Sequence, residues 1–283
     1  MGSKKVLRIA FLIILFFGVA HTAYSQPPPA SSPLSGRFEL QEQPRATLEP
    51  ARQFAEAIDS PKNVVDSLAS IPWIGVVTPR LDYPFFEDAY GSAVMVRTNA
   101  EDVTFVFTAA HVFPQYQALI CGKGSRAELH FHGGQVLAQV VYLNRATDIA
   151  ILRLEQGAVS PASALKIAEK DPAPGEELFA IGYPPMSASL QTVIKVRYRG
   201  IDVRTGQIQT APHVFIPIAV QYFILWTGAE VGYSGGPLVN KNGEVVGILT
   251  QLSPHGSFML ATARKHLLDA LSEAQTGPEF CNK

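Results

Sequence analysis

A mostly β fold, an antiparallel barrel or sandwich followed by one C-terminal helix, is predicted by three observations. From Trp73 to Ala263 the chain alternates short β-branched and aromatic runs with Gly, Pro and Asn, the pattern of many short strands joined by turns. Asn242-Gly243, between Leu238-Val239 and Val245-Val246-Gly247-Ile248-Leu249, is the strongest hairpin signal, because these two residues tolerate the positive φ that a tight turn demands. Lys265 to Ala274 carries Leu267, Leu268 and Leu271 at helical spacing, which predicts an amphipathic helix.

With 283 residues, 47% hydrophobic and 17% charged, the chain can bury a sizeable core, and disordered and collagen-like classes are excluded. Twenty-three basic against 24 acidic residues leave no basic excess that would point to nucleic acid. Two cysteines, Cys121 and Cys281, cannot make a cysteine-rich scaffold.

Taken in order, residues 1–25 follow the secretory pattern. A basic start ends at Arg8, an apolar run spans Ile9 to Ala20, and the small residues Ala23 and Ser25 precede a cut before Gln26. That apolar run falls short of the roughly 20 residues a spanning helix needs, so the expectation is a cleaved signal peptide, export to the periplasm or medium, and no stable membrane insertion. In an oxidising compartment Cys121 and Cys281 could pair, restraining the unfolded chain by up to roughly 5 kcal/mol on the entropic model, or could both stay as thiols. The sequence leaves both open.

Residues 26–71 form an extension. Pro27-Pro28-Pro29-Ala30-Ser31-Ser32-Pro33 cannot bury enough apolar surface to fold and reads as an extended linker. Ala51, Phe54, Ala55, Ile58 and then Val64, Val65, Leu68 recur at three- and four-residue spacing across a break at Pro61, predicting one or two short helices. Residues 72–275 form the main domain, with strands at Ala93 to Val96, Val103 to Phe107, Val136 to Val141, Val193 to Tyr198 and Phe258 to Thr262. Residues 276–283 are a C-terminal tail.

The most informative segment is Gly232-Tyr233-Ser234-Gly235-Gly236-Pro237-Leu238. A serine hydroxyl is a poor nucleophile at neutral pH and needs a base, an orienter for that base, and donors for the oxyanion. Glycines on both sides of Ser234 let the N–H groups of Gly232 and Ser234 converge on one developing charge. Among seven histidines, His111 stands out, because Thr108-Ala109-Ala110-His111 ends an apolar strand in a turn of small residues. A sheltered carboxylate is offered by Thr147-Asp148-Ile149-Ala150-Ile151-Leu152, with Asp148 at the head of an apolar strand.

These three motifs, in the order His, Asp, Ser, resemble those of trypsin-like serine peptidases of the chymotrypsin fold. The wording is closest to the protease domain of the bacterial HtrA/Deg branch. Gly91-Ser92-Ala93-Val94-Met95-Val96, Ala180-Ile181-Gly182-Tyr183-Pro184 and Ser234 to Ile248 carry that likeness, over residues 72–272. The resemblance implies two six-stranded antiparallel barrels with a cleft between them. It implies His111 as base and then acid, Asp148 as its orienter, Ser234 as nucleophile, and Gly232 and Ser234 as oxyanion donors. Polypeptides are the implied partners, and neither cofactor nor metal is implied.

The sequence departs from the pattern in three ways. Tyr233 stands where digestive enzymes carry the Asp that captures a new N-terminus, and where HtrA proteins commonly have Asn. The chain ends 21 residues after Thr262, with no PDZ module following. Gly228, six residues before Ser234, offers no carboxylate at the floor of the primary pocket. With Thr250 at a wall by analogy, the expected preference on the acyl side of the cut is for small or medium apolar side chains.

An α/β-hydrolase elbow is disfavoured, because Pro237 and a hairpin follow the serine instead of a helix, and only 49 residues remain for the acid and histidine. A silent domain of the same fold acting as a binding module is the alternative. His130 and His132 share a strand face but lack a third ligand nearby, so a solvated face is expected. His213, His255 and His266 are expected at the surface, and Phe85, Phe86 and the aromatics of Gln221 to Trp226 in the core.

Overall fold

Strands apolar on both faces need something to cover each face, and the architecture follows from that. In β3 (Val94–Arg97) and β4 (Thr104–Ala109), paired so that Met95 faces Val106 and Val94 faces Phe107, successive side chains serve different cores. Met95 and Val106 join Ile74, Leu129, Leu143 and Leu152 inside the first sheet. Val94, Val96, Phe105 and Phe107 point the other way and meet Phe179, Ile181, Val193, Val239, Val245 and Ile248.

The computed structural model describes residues 48–75, 90–98, 104–113, 126–131, 134–154, 164–183, 191–211, 214–226, 233–252, 258–276 and 280–281. All of them fall in one compact unit of residues 42–283. Its first sheet runs β2 (Tyr90–Ser92), β1 (Trp73–Gly75), β5 (Arg126–Phe131), β6 (Gly134–Asn144), β7 (Ile149–Leu154), β4, β3, with β14 (Phe280–Cys281) added in parallel to β6. The second is a closed six-stranded barrel in the order β10 (Val214–Trp226), β13 (Phe258–Ala263), β12 (Val245–Leu252), β11 (Pro237–Val239), β8 (Glu177–Gly182), β9 (Thr192–Ala211).

The fold is therefore mostly β, as expected, with one difference. The first half is not a closed hydrogen-bonded ring but a curled sheet whose two end strands, β2 and β3, are consecutive pieces of one chain interrupted only at Ala93. Ala93 donates its N–H to Pro72 instead of to a strand neighbour, which breaks the ladder there.

Helix α1 (Leu48–Ala57) and helix α2 (Lys62–Ser67) flank the break at Pro61. Asp59, at φ 55°, ends α1, with Ser60 N–H on Ala55 C=O and Asp59 N–H on Glu56 C=O, a double bond pattern that satisfies the last carbonyls. The helices are more than an appendage. Ala51, Ala55, Val64, Leu68 and Ile71 are buried in the core between the two sheets, and buried Gln191 donates to Leu68 C=O and Ile71 C=O. Helix α3 (Arg264–Thr276) covers the same core with Leu267, Ala270, Leu271 and Ala274. Leu268, expected on that face, is exposed, because the buried stripe follows i, i+3, i+4, i+7 from Leu267.

Strand β9 runs well beyond the expected Val193 to Tyr198, because Ile201-Asp202-Val203-Arg204 keeps the two-residue alternation going into a long ribbon with β10. At the Asn242-Gly243 turn, Gly243 sits at φ 76° and Asn240 Oδ1 accepts the N–H groups of Asn242 and Glu244. Of the aromatics expected in the core, Phe223 is buried and Tyr222 only half-buried, while Phe85, Phe86 and the side chain of Trp226 lie outside the described residues. Among the described residues no helix is long and apolar enough to cross a membrane.

Candidate active site

The strand register brings His111 and Asp148 to one corner of the first sheet. Strands β4 and β7 are antiparallel neighbours with Ala109 opposite Ile149, so the residues just past the end of one and just before the start of the other occupy the same corner. His111 lies in a 3-10 turn, Ala110–Val112, that ends β4. Asp148 closes the turn that begins β7.

Asp148 makes three contacts there. Its Oδ2 accepts from His111 Nδ1 at 2.7 Å, its Oδ1 accepts the His111 backbone N–H at 2.9 Å, and its C=O accepts the Ala110 N–H at 3.2 Å. A carboxylate held at both oxygens fixes the imidazole's tautomer, with the proton on Nδ1 and the lone pair on Nε2. The hydrogen bond that His111 donates to Asp148 raises the His111 pKa above its ordinary value, with partial burial opposing and the carboxylate charge adding. The His111 side chain remains 47% exposed and that of Asp148 19%, so the imidazole is open to an incoming reactant while the carboxylate beside it is sheltered.

Asp148 reaches this position at φ 55°, a left-handed conformation uncommon for a residue other than glycine. The turn before it is held from several sides. Asn144 Oδ1 accepts the N–H groups of Ala146 and Thr147. From the second barrel, Thr262 Oγ1 donates to Thr147 C=O at 2.8 Å, and Tyr222 donates its O–H to Ala146 C=O at 3.4 Å.

Ser234 is half-buried in a turn closed by Gly236 N–H on Tyr233 C=O at 2.8 Å. Gly235, at φ 83°, takes the third position of that turn, as a type II geometry requires. Its N–H donates to Leu249 C=O, and Leu249 N–H returns to Gly236 C=O, which ties the turn to β12. No side chain fits at Gly235, since a Cβ would stand 2.1 Å from Thr108 Oγ1 and 2.2 Å from Ser92 O. Thr108 is three residues before His111, so the serine turn is seated on the end of the strand that carries the histidine.

Ser92 is the junction, and nothing in the sequence singled out its side chain. It is fully buried at the end of β2. Its N–H donates to Ser234 C=O at 2.8 Å, its C=O accepts Thr108 Oγ1 at 2.8 Å, and its Oγ accepts Tyr183 N–H at 2.9 Å. One residue thus links the first sheet, the serine turn and the end of β8.

Tyr233 does not project into the site. It is 4% exposed, packs in the second barrel beside Gly182, and its O–H shares a hydrogen bond with Thr192 Oγ1. Thr250, expected at a pocket wall, is buried on β12 with its hydroxyl donating to Leu260 C=O at 3.4 Å. Gly228, Gly232 and Cys121, and with them the expected pocket floor, one expected oxyanion donor and one of the two cysteines that could pair, lie outside the described residues, as do His132, His213 and His255. His130 is half-buried with Nε2 3.7 Å from Glu128 Oε2, and burial lowers its pKa. His266, expected at the surface, is half-buried, because its Nε2 accepts the backbone N–H of Gln221 at 2.9 Å.

Comparison with known proteins places the chain in a family. Residues 91–248 match the family described as Trypsin-like peptidase domain. The chain is 31% identical over 206 residues to Serine protease HTRA1 of Xenopus tropicalis, covering 69% of this chain and 40% of that one. It is 30% identical over 184 residues to a probable periplasmic serine endoprotease DegP-like of Pseudomonas putida, covering 64% and 33%. The chain thus spans two fifths or less of the length of these curated relatives. Among solved structures, the active form of the Rv3671c protease from M. tuberculosis superposes with a TM-score of 0.60 at 20% identity, covering 79% of this chain and 93% of that one, a likeness of fold. A matched segment that contains His111, Asp148 and Ser234 and spans more than half of the sequence assigns the chain to the trypsin-like peptidase domain family, with HtrA proteases among its relatives.

Proposed function

We propose that this chain is an exported serine endopeptidase that cuts polypeptides through an acyl-enzyme on Ser234. One observation carries the reading. Asp148 holds both the ring and the backbone N–H of His111, on a strand end against which the Ser234 turn is packed through Gly235.

In this mechanism His111 Nε2 takes the proton from Ser234 Oγ as Oγ bonds to the substrate carbonyl carbon. The oxyanion receives hydrogen bonds from the N–H groups of Gly232 and Ser234. His111 then gives its proton to the amide nitrogen, the C–N bond breaks, and the amine leaves. Water, deprotonated by the same imidazole, attacks the acyl carbon, and Ser234 Oγ recovers a proton as the acid departs. Asp148 keeps the proton on Nδ1 and stabilises the imidazolium.

Gly228 and Thr250 favour small or medium apolar side chains on the acyl side of the cut. Residues 1–25 serve as a cleaved signal, in keeping with the periplasmic location that the name of the Pseudomonas relative carries. No cofactor enters any step.

The test is labelling of the purified chain with a fluorophosphonate probe, located by peptide mapping and repeated on Ser234→Ala and His111→Ala. Stoichiometric labelling at Ser234, lost in both variants, is expected, together with peptide cleavage that falls more than a thousandfold in Ser234→Ala. A folded protein that takes no label would overturn the reading and favour a binding module. Faster cleavage after Arg or Lys than after apolar residues would overturn the preference.

A further inference from the structure

We infer that Thr262, with Tyr222 beside it, is a positioning residue for Asp148, so that the His111–Asp148 hydrogen bond is set by the second barrel and not by the first sheet alone. This rests on the proposed peptidase reading for its kinetic consequence, though not for its geometry.

Within its own segment the turn before Asp148 is held by Asn144, whose C=O also accepts Thr147 Oγ1 at 3.5 Å. It contains no glycine, yet Asp148 sits at φ 55°, where a side chain is disfavoured unless its surroundings hold it. Asn144 secures the near side through the N–H groups of Ala146 and Thr147, which leaves the carbonyls of the same two residues to be satisfied elsewhere. Both are taken by the second barrel. Thr262 Oγ1 donates to Thr147 C=O at 2.8 Å, and Tyr222 O–H donates to Ala146 C=O at 3.4 Å.

Those two donors are themselves placed by the sheet. Tyr222 on β10 stands directly opposite Thr262 on β13, so their hydroxyls leave the barrel at one level. Thr262 is fully buried, which makes its hydroxyl the replacement for water at the peptide that precedes Asp148. The guanidinium of Arg204 lies over the Tyr222 ring, 5.6 Å from its centroid, and is bonded to Asp202 and Gln251. A shift of β13 or β10 relative to the first sheet therefore moves the Thr147–Asp148 peptide, and with it the carboxylate that orients His111.

The experiment compares the full chain with Thr262→Val, which keeps the shape and removes the hydroxyl, and with Thr262→Ser, which restores it. Two readouts are taken: kcat and KM on a peptide substrate, and the proton resonance of His111 Nδ1 in an isotope-labelled sample. Thr262→Val is expected to lower kcat about ten- to a hundredfold, the loss that a misplacement of about 1 Å causes, with KM within twofold, and to shift or broaden the His111 proton. Thr262→Ser is expected to recover both. A folded Thr262→Val with wild-type kcat and an unchanged His111 proton overturns the inference, as does a Thr262→Ser no better than Thr262→Val.

Should Thr262→Val fail to fold, Tyr222→Phe decides. A two- to fivefold loss of kcat and a shifted His111 proton support the inference, and wild-type values overturn it. A chain that neither cleaves peptides nor takes the fluorophosphonate label would refute the peptidase reading. The His111 proton in the variants would still settle whether Thr262 places Asp148.

Discussion

Replacing Gly235 by Ala separates two costs that the structure keeps distinct. The residue sits at φ 83°, and a Cβ there would lie 2.1 Å from Thr108 Oγ1, 2.2 Å from Ser92 O and 2.8 Å from Ala109 N. Two of these three atoms belong to backbone, so the clash cannot be relieved by turning a side chain. A non-glycine residue at positive φ costs about 1–2 kcal/mol, and forcing an extra carbon into a filled site about 1–3 kcal/mol more. Gly175 supplies the control, because it has nearly the same φ, 85°, with nothing within 4 Å of its Cβ position. Gly175→Ala should therefore lose only the conformational part, about 1–2 kcal/mol, or roughly 3–6 °C in Tm for a domain of this size. Gly235→Ala should lose about 2–5 kcal/mol, or roughly 6–15 °C. Displacing the turn by the few tenths to one ångström needed to admit the methyl should also slow labelling of Ser234 up to about a hundredfold, while Gly175→Ala labels at the wild-type rate. The assay is thermal unfolding and probe labelling of both variants beside the parent chain. Equal Tm losses for the two would show that the crowding against Thr108 and Ser92 is not real, and wild-type labelling of Gly235→Ala would break the inferred coupling between the serine turn and the histidine strand.

The pH dependence has a definite sign at two histidines. The hydrogen bond donated to Asp148 raises the pKa of His111, so the acid limb of the labelling rate should lie above pH 6.5 and move down in Asp148→Asn; a limb below pH 6.5 in the parent would contradict the geometry. For the same reason the stabilisation from the charged pair is complete below about pH 6.5 and fades as the pH rises through the folded value. His266 runs the other way, since burial lowers its pKa and its Nε2 must stay unprotonated to accept from Gln221. Its contribution is present above about pH 6.5 and is lost as the pH falls through the folded value, so His266→Gln should lower Tm at pH 8 and lower it less at pH 5. A Tm difference that does not change between the two pH values would refute that assignment.

Much of the site was legible because its signals are local. His111 follows an apolar strand, Asp148 precedes one, and Ser234 lies among glycines, so each could be placed on an element from neighbours within a few residues. The antiparallel register of β4 and β7 then brings the positions of His111 and Asp148 to one corner. The elements that were misread depend on context instead. Leu268 has the same hydrophobicity as Leu267, and only packing against the core selects one of them. His266 has no partner in its own segment, because the group it accepts from is a backbone N–H on β10.

By itself, then, the sequence determined the strand-rich class, the Asn242-Gly243 hairpin, the C-terminal helix and the residue types able to perform acyl transfer. Each of these is dictated by side-chain alternation, turn chemistry or intrinsic reactivity over a short window. Tertiary structure alone decided that helices α1 and α2 belong to the core between the sheets, that Tyr233 is folded away into the second barrel, and that Ser92 and Thr262 hold the two halves of the site. The reason is physical. Ser92 meets Tyr183 across 91 residues of chain and Thr262 meets Thr147 across 115, and in both cases the partner is a backbone atom that every residue carries. A contact of that kind leaves no mark on the identity of one of its two residues, so it exists only once the chain has closed around it.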